Sequence, residues 1–123
     1  MDIEESILKK INSPKELAIL IKKNYTVIIK ISASWCGPCK NKKFLESYHS
    51  LKSNYSDISN IKFVELDIDD DSEIIESKKY YDIDVDSVPT FIIANNGSFT
   101  KKYVGGGYLN DINEYLSKIV NSY

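Results

Sequence analysis

Two cysteines, Cys36 and Cys39, are the residues best suited to chemistry in this chain of 123 residues. Because only two residues separate them, the second sulfur can reach back to the first, either to form an intramolecular disulfide or to resolve a mixed one. They lie between a β-branched run and a helical pattern, so the first sulfur is expected near unpaired backbone N–H groups at a helix start. Such groups favour the thiolate, which is the reactive form of cysteine. The spacing predicts thiol–disulfide exchange.

Zinc sites and structural disulfides use the same spacing, but both alternatives are weaker here. A zinc site would need a second Cys or His pair, and the sole histidine, His49, falls in the middle of a predicted helix. An inert bridge is disfavoured by the short loop, by the exposed turn and by the reducing compartment that we expect. We therefore predict no metal and no other bound cofactor.

The neighbours of the cysteines suit a tight and accessible turn. Pro38 fits the first helical turn, where its missing N–H costs nothing, and Gly37 would let the backbone turn beside an approaching disulfide. Trp35 has two compatible interpretations. It is a partly buried aromatic residue, and it also shields the sulfur and offers partners a flat contact.

The elements that must position the dithiol alternate between strands and helices. Two near-continuous apolar runs, Val27–Ile31 and Ile61–Leu66, are typical of strands covered on both faces. Asn96-Gly97 separates two further strand patterns, Thr90–Asn95 and Ser98–Val104, and predicts a hairpin between them.

Helical patterns occupy the intervening segments. A capping-box spacing with proline at the first helical position predicts a helix start at Ser13–Glu16. Further helices are predicted after the cysteines, from about Ser72 to Tyr80, and from Leu109 to Ile119, while Ile7–Ile11 is either a short edge strand or a helical turn. This order implies one α/β domain over residues 1–123, with a mixed sheet and helices on both of its faces.

Composition and charge exclude several classes of protein. A hydrophobic share of 42% with 28% charged residues is ordinary for a globular domain, so the chain should not be mainly disordered. A net charge of −2 gives no general reason to bind nucleic acid or an anionic membrane. Because the acidic start Met1–Glu5 lacks signal-peptide features and no apolar stretch approaches about 20 residues, we expect a soluble protein of the cytoplasm.

The dithiol segment, Ser32–Lys40, reads SASWCGPCK and resembles the active site of the thioredoxin family. The likeness extends along most of the chain. Other segments that fall at thioredoxin-like positions are Phe63–Asp69, Val88–Phe91, Asn96-Gly97 and Val104-Gly105.

The resemblance implies a five-stranded mixed sheet flanked by helices and an exchange of disulfides with protein substrates. In that chemistry Cys36 attacks and Cys39 resolves, while electrons come from NADPH through thioredoxin reductase. Pro89 matches the family's cis-proline beside the dithiol, and Val88 and Gly105 fall at the substrate groove. Without the resemblance, Pro89 would be interpreted as a proline at a strand start. A monomer is the default for such a fold.

Each of the two buried strands is interrupted by one charge, Lys30 in the first and Glu65 in the second. Because an isolated buried ion is costly, we expect the two side chains to face each other across adjacent strands. Relatives usually carry aspartate and often lysine at these positions, so this chain resembles the family with the charges exchanged.

Three roles for the pair follow as hypotheses. A charged Lys30 would stabilise a Cys39 thiolate through its field, with Glu65 acting as a base through a water. A neutral Lys30 could itself be the base, since burial lowers the pKa of lysine. Alternatively, Lys30 turns outward and contributes only packing.

The residues and the resemblance together predict a general protein-disulfide reductase. One alternative is a redox protein dedicated to one partner or to an assembly pathway. Another is a binding module within a larger assembly, in which the cysteines are secondary. The intact WCGPC segment argues against a module, because a scaffold needs neither thiol.

Overall fold

The computed structural model of the chain describes residues 11–23 and 26–122. Helices and strands alternate along it as the sequence predicts. In chain order they are α1 (Pro14–Lys23), β1 (Thr26–Ser32), a 3₁₀ helix (Pro38–Lys40), α2 (Lys42–Asn54), β2 (Ile61–Asp67), α3 (Ser72–Ile75), β3 (Thr90–Asn95), β4 (Ser98–Val104) and α4 (Leu109–Asn121).

The sheet is mixed, and its described strands run in the order β2-β1-β3-β4. Strand β1 pairs in parallel with β2 and antiparallel with β3, while β3 and β4 form an antiparallel hairpin. The predicted α/β architecture with a mixed sheet is confirmed, but the expected count of five strands is not, since the described residues form four. The candidate for a fifth strand was Ile7–Ile11, of which only Ile11 lies within the described residues, outside any strand.

Strand β1 lies between two other strands and is covered on both faces, which explains its almost unbroken apolar sequence. Its side chains point alternately into two separate hydrophobic cores, one on each face of the sheet. Val27, Ile29 and Ile31 pack with side chains of α1 and α3 on one face. Ile28 faces the opposite core, which is built largely on aromatic side chains of α2, β2 and β3 and on α4, namely Phe44, Tyr48, Phe63, Phe91, Ile112 and Leu116.

Local sequence signals set the element boundaries. At the start of α1, the Glu16 N–H donates to Ser13 Oγ at 3.2 Å, and the Glu16 carboxylate accepts from the Asn12 N–H at 2.7 Å. The predicted hairpin is confirmed, with Asn96 and Gly97 at φ values of 54° and 86°. Glycine and asparagine tolerate this left-handed region best, so the pair closes the β3–β4 turn with little strain.

The helix predicted from Ser72 to Tyr80 is wrong in length, because α3 ends at Ile75. The segment after Ile75 is held by hydrogen bonds from its own side chains instead of by a continued helix. Lys78 Nζ donates to Asp82 Oδ1 at 2.8 Å and to the Ile83 carbonyl oxygen at 3.0 Å, while the Tyr81 hydroxyl donates back to the Ile74 carbonyl. None of the helices within the described ranges is both long and apolar enough to cross a membrane.

Leu116 offers a direct test of the aromatic core, since it is fully buried in α4. We expect Leu116→Ala to lower the free energy of unfolding by about 2–5 kcal/mol, because the change removes buried methyl groups and leaves a cavity. Urea denaturation followed by circular dichroism measures the loss. The matched control is Leu45→Ala, where a leucine that is 42% exposed is replaced in α2 and a change of about 0.5 kcal/mol is expected. Equal losses in the two variants would contradict this assignment of the core.

Candidate active site

The dithiol loop begins where β1 leaves the centre of the sheet. Just beyond Ser32, the chain turns, and the Cys36 N–H donates to the Ala33 carbonyl oxygen at 3.2 Å. The Ser32 carbonyl oxygen accepts from the Ile68 N–H at 2.8 Å, which ties the loop to the end of β2. The rigid strand pair therefore fixes the starting point of the loop.

The two cysteines form a disulfide with their Cα atoms 5.3 Å apart. The Cys39 N–H points at Cys36 Sγ at 3.1 Å, so a backbone donor is already aimed at the first sulfur. Such a donor stabilises negative charge on that sulfur once the bond is reduced. The cysteines themselves are 3% and 5% exposed, although Gly37 and Pro38 between them are exposed. The turn is exposed as expected, and the sulfurs lie just beneath its surface.

Gly37 does not have the backbone role that its type suggested. Its φ and ψ are −58° and −54°, an ordinary helical conformation that any residue adopts. A Cβ built there would meet no atom within 4 Å, so no neighbouring atom crowds this exposed position of the turn. Pro38 does start a helix, but a 3₁₀ helix that Asn41 ends; Asn41 then caps α2 by accepting the Phe44 N–H at 3.1 Å.

A second segment closes over the disulfide from β3. The Val88–Pro89 peptide bond is cis, and the Val88 carbonyl oxygen lies 3.7 Å from Cys36 Sγ. Gly105, the residue after the end of β4, donates its N–H to the Pro89 carbonyl oxygen at 2.8 Å. Its φ of +107° favours glycine, and a Cβ there would again meet no atom within 4 Å. The structure thus brings Val88, Pro89 and Gly105 together beside the cysteine pair.

Trp35 projects from the loop with 66% of its surface exposed. Its indole N–H donates to Asp69 Oδ2 at 2.8 Å, so the ring is exposed but held in one orientation. A flat aromatic surface held in place beside a reactive sulfur is suited to contact with a partner protein.

Asp67, the last residue of β2, accepts hydrogen bonds both from the turn that follows β2 and from the dithiol loop. Its carboxylate accepts from the backbone N–H groups of Asp69 and Asp70 at 2.8 and 3.0 Å. These bonds lower the pKa of Asp67, burial opposes them, and a further bond from the Ser34 N–H in the dithiol loop also lowers it. One carboxylate therefore links the turn that carries Asp69 to the loop that carries Trp35.

Sequence reasoning missed the two aspartates. Neither residue stood out in the sequence, yet Asp69 accepts the hydrogen bond of the Trp35 indole and Asp67 accepts the backbone N–H of Asp69. A usable signal was present, because an aspartate at the end of a strand and the start of a turn often accepts hydrogen bonds from the backbone N–H groups two or three residues further along.

Lys30 and Glu65 lie opposite each other in the parallel register of β1 and β2, and Lys30 Nζ is 3.0 Å from Glu65 Oε1. The predicted contact is confirmed. The Lys30 side chain is only 6% exposed and that of Glu65 is 31% exposed, so the lysine does not turn outward to solvent. Among the described residues, no group of three or more His, Cys, Asp or Glu side chains is placed to hold a metal ion.

The hydrogen bond from Trp35 to Asp69 can be tested by fluorescence, because the chain has a single tryptophan. We expect Asp69→Ala to lower the fluorescence anisotropy of Trp35, since the indole N–H loses the carboxylate that accepts its hydrogen bond and the ring gains motion. Asp69→Asn keeps an acceptor oxygen and should retain most of the anisotropy. Equal anisotropy in wild type and Asp69→Ala would show that the bond does not orient the ring.

The anchoring carboxylate of Asp67 predicts a pH dependence of stability. Because its pKa is lowered below the ordinary 3.8, the ionised form stabilises the fold above that pH, and this contribution is lost as the pH falls through the lowered value. Asp67→Ala should be less stable than wild type at neutral pH and should lose less stability on acidification below about pH 4.

Urea denaturation at a series of pH values measures both effects. The control is Asp70→Ala, because Asp70 contributes its backbone N–H, which alanine keeps. If the acid-induced loss of stability is the same in wild type and Asp67→Ala, the carboxylate does not carry the anchoring role.

Comparison with known proteins agrees with the geometry. The thioredoxin family model matches residues 9–118. Thioredoxin 1 of Plasmodium falciparum (isolate 3D7) is 30% identical over 99 residues, which span 80% of this chain and 86% of that protein. Thioredoxin H5 of Oryza sativa subsp. japonica is 37% identical over 94 residues, which span 76% of this chain and 62% of that protein.

Solved structures show the same fold. Thioredoxin from Trypanosoma brucei brucei superposes with a TM-score of 0.75 at 22% identity, covering 98% of this chain and 97% of that one. Oxidised mitochondrial thioredoxin 3 from Saccharomyces cerevisiae gives 0.68 at 26% identity, covering 99% and 100%. The family match places the cysteine pair at the active-site position of these proteins. This chain therefore belongs to the thioredoxin family and is a thiol–disulfide oxidoreductase.

Proposed function

We propose that this oxidoreductase works as a general reductase of protein disulfides, with Cys36 as nucleophile and Cys39 as resolving thiol. The observation that carries the proposal is the joined cysteine pair whose own backbone N–H, from Cys39, lies 3.1 Å from Cys36 Sγ. This donor stabilises the thiolate form of Cys36, which an ordinary exposed cysteine lacks the means to do. The pair can therefore cycle between dithiol and disulfide within one short turn.

The reaction has two exchange steps. The Cys36 thiolate attacks one sulfur of a substrate disulfide, forming a mixed disulfide and releasing the other substrate sulfur as a thiolate. Cys39 then loses its proton and attacks Cys36 Sγ, which forms the Cys36–Cys39 bond and releases the second substrate thiolate. Both released thiolates are protonated. In total, two electrons and two protons pass to the substrate.

The surface around the sulfurs suits an extended segment of a substrate protein. Trp35 offers a fixed aromatic face, and the open space above two glycines lets a foreign backbone approach the disulfide. The Val88 carbonyl oxygen marks the other wall, 3.7 Å from Cys36 Sγ. The residues proposed to contact substrate are Trp35, Gly37, Pro38, Val88, Pro89 and Gly105.

The reduced form must be restored by an external dithiol. We propose that thioredoxin reductase supplies it with electrons from NADPH, that the protein acts as a monomer, and that it works in the cytoplasm. Membership of the thioredoxin family supports the choice of reductase and of protein disulfides as substrates. A reducing compartment would keep the dithiol available.

Reduction of insulin disulfides by dithiothreitol tests the function. Wild type should accelerate the reaction, and Cys36→Ser should lower the rate to that of dithiothreitol alone, because the attacking thiolate is gone. Cys39→Ser should retain the first step and accumulate a mixed disulfide that mass spectrometry detects, since the resolving thiol is missing.

The substitution Ser47→Ala is a control outside the dithiol, at an exposed position of α2, and should leave the rate unchanged. A wild-type rate no higher than that of Cys36→Ser would contradict the reductase. That result would favour the alternative of a binding module, in which the two sulfurs are secondary.

A further inference from the structure

A surface groove of about 320 Å³ lies between α4 and β4, the last strand of the described sheet. Three tyrosine side chains line it: Tyr103 from β4, Tyr108 directly before α4, and Tyr115 within that helix. None of the three is buried, and Tyr108 is 44% exposed. We refer to this surface as the tyrosine groove. No residue of it takes part in the two exchange steps described above.

The tyrosine groove also holds two carboxylates, those of Asp111 and Glu114. Both residues are exposed, and within residues 11–23 and 26–122 neither carboxylate forms a salt bridge. Burial, followed by the charge of Asp111 and then by Tyr115, raises the pKa of Tyr103, so the Asp111 carboxylate lies near that phenol. An unpaired carboxylate beside a tyrosine ring is suited to binding a cation.

Tyr103 and Tyr108 form an aromatic wall at the end of the groove where Asp111 lies. Their ring centroids are 5.6 Å apart, and the two ring planes are inclined by 40°. In the described part of the chain, no lysine ammonium group lies over either ring, whereas Lys101 Nζ lies 5.6 Å from the ring centroid of Tyr115. The aromatic wall can therefore receive a cation from another molecule.

Positive and negative charges are separated along the tyrosine groove. Asp111 lies in the first turn of α4, and Lys118 follows seven residues later, about 10 Å along the helix axis. Lys101 lies toward the same far end, because it precedes Tyr103 in β4 and covers Tyr115. The acidic end attracts one cation, and the two lysines repel a second one further along. The groove therefore fits a single positively charged side chain better than a polybasic segment.

The acidic end of the tyrosine groove adjoins the dithiol site. From Tyr103 the chain continues through Val104, which is 49% exposed, to Gly105, whose N–H donates to the Pro89 carbonyl oxygen. Two residues of extended chain span about 7 Å, so Tyr103 lies close to Gly105. Tyr108 follows at the other end of the glycine loop that begins at Gly105. A protein that contacts Gly105 during exchange can therefore place a side chain in this end of the groove.

The acidic end of the groove favours a guanidinium over an ammonium group. A guanidinium is planar, so it stacks on a tyrosine ring while its paired N–H groups donate to a carboxylate. An ammonium group has neither the plane nor the paired donors. The chain contains no arginine, so neither an intramolecular contact nor a second copy supplies this group. The occupant must come from another protein.

We propose that the acidic end of the tyrosine groove binds an arginine side chain of a protein whose disulfide the dithiol exchanges. Tyr103 and Tyr108 stack on the guanidinium, Asp111 accepts its hydrogen bonds, and Glu114 adds negative charge. The groove thereby favours disulfide proteins that carry a single arginine near the reactive cysteine. This choice of substrate rests on the proposed reductase function, whereas the binding of arginine does not.

Nuclear magnetic resonance titrations of the full oxidised chain test the binding with four probes, the N-acetyl amides of arginine, citrulline, lysine and glutamate. The arginine probe should shift the backbone amide signals of Tyr103, Tyr108 and Asp111 in a saturable way. Citrulline has nearly the same shape as arginine without its charge, so its probe should bind about fivefold more weakly. The lysine probe keeps the charge but lacks the plane, and it should also bind more weakly than the arginine probe.

Two variants test the residues of the acidic end. Asp111→Asn and Tyr108→Leu should each weaken binding of the arginine probe by about fivefold. Asp70→Asn is the matched control for charge, because Asp70 is exposed and follows β2, at the opposite edge of the described sheet. Tyr80→Leu is the control for the ring, because Tyr80 is 41% exposed and lies outside the groove. Both controls should bind the probe as wild type does, and circular dichroism establishes that each variant is folded.

Several results would overturn the proposal: no saturable shift with the arginine probe, equal binding of the citrulline or lysine probe, stronger binding of the glutamate probe, or equal losses in Asp111→Asn and Asp70→Asn. The comparison of probes uses wild type alone, so it decides even if a variant does not fold. Because no probe contains a disulfide, the result is independent of insulin reduction. Selective binding of arginine by a protein that reduces no insulin would uphold the groove and reject the reductase.

Discussion

Burial of β1 on both faces is the constraint on which the rest of the molecule depends. The strand separates two hydrophobic cores, supplies the parallel and antiparallel pairings of the sheet, and ends directly before the dithiol loop. Because close packing permits little movement of a central strand, the loop starts from a fixed point. The same burial makes Lys30 unusual, since a cation on this strand must be paired within the protein.

The loop itself is held by polar contacts with its neighbours. A carboxylate at the end of β2, that of Asp67, organises the turn that carries Asp69, and Asp69 in turn orients Trp35. On the other side, backbone atoms of Val88 and Gly105 approach from β3 and β4. These contacts preorganise the surroundings of two buried sulfurs while leaving the surface above them open to a substrate protein.

Much of this organisation was predictable from local patterns. The strands β3 and β4 match the sequence boundaries because Asn96-Gly97 defines the turn, and the Lys30–Glu65 contact followed from the cost of two buried charges. The end of α3 and the bond between Trp35 and Asp69 were not predictable in the same way. They depend on side chains that meet only after the chain has folded, and residue type alone does not specify such contacts. Gly37 shows the converse, because its type suggested a turn that needs glycine, whereas its φ and ψ are those of an ordinary helix.

The most direct test of the central claim is a redox titration of the full chain against glutathione, with both thiols counted by alkylation and mass spectrometry. A reversible dithiol couple should show one two-electron transition in which Cys36 and Cys39 change state together. An inert structural disulfide would instead remain oxidised at every glutathione redox potential at which a redox-active protein disulfide is reduced. Independent behaviour of the two sulfurs, with glutathione adducts but no intramolecular bond, would likewise contradict the account.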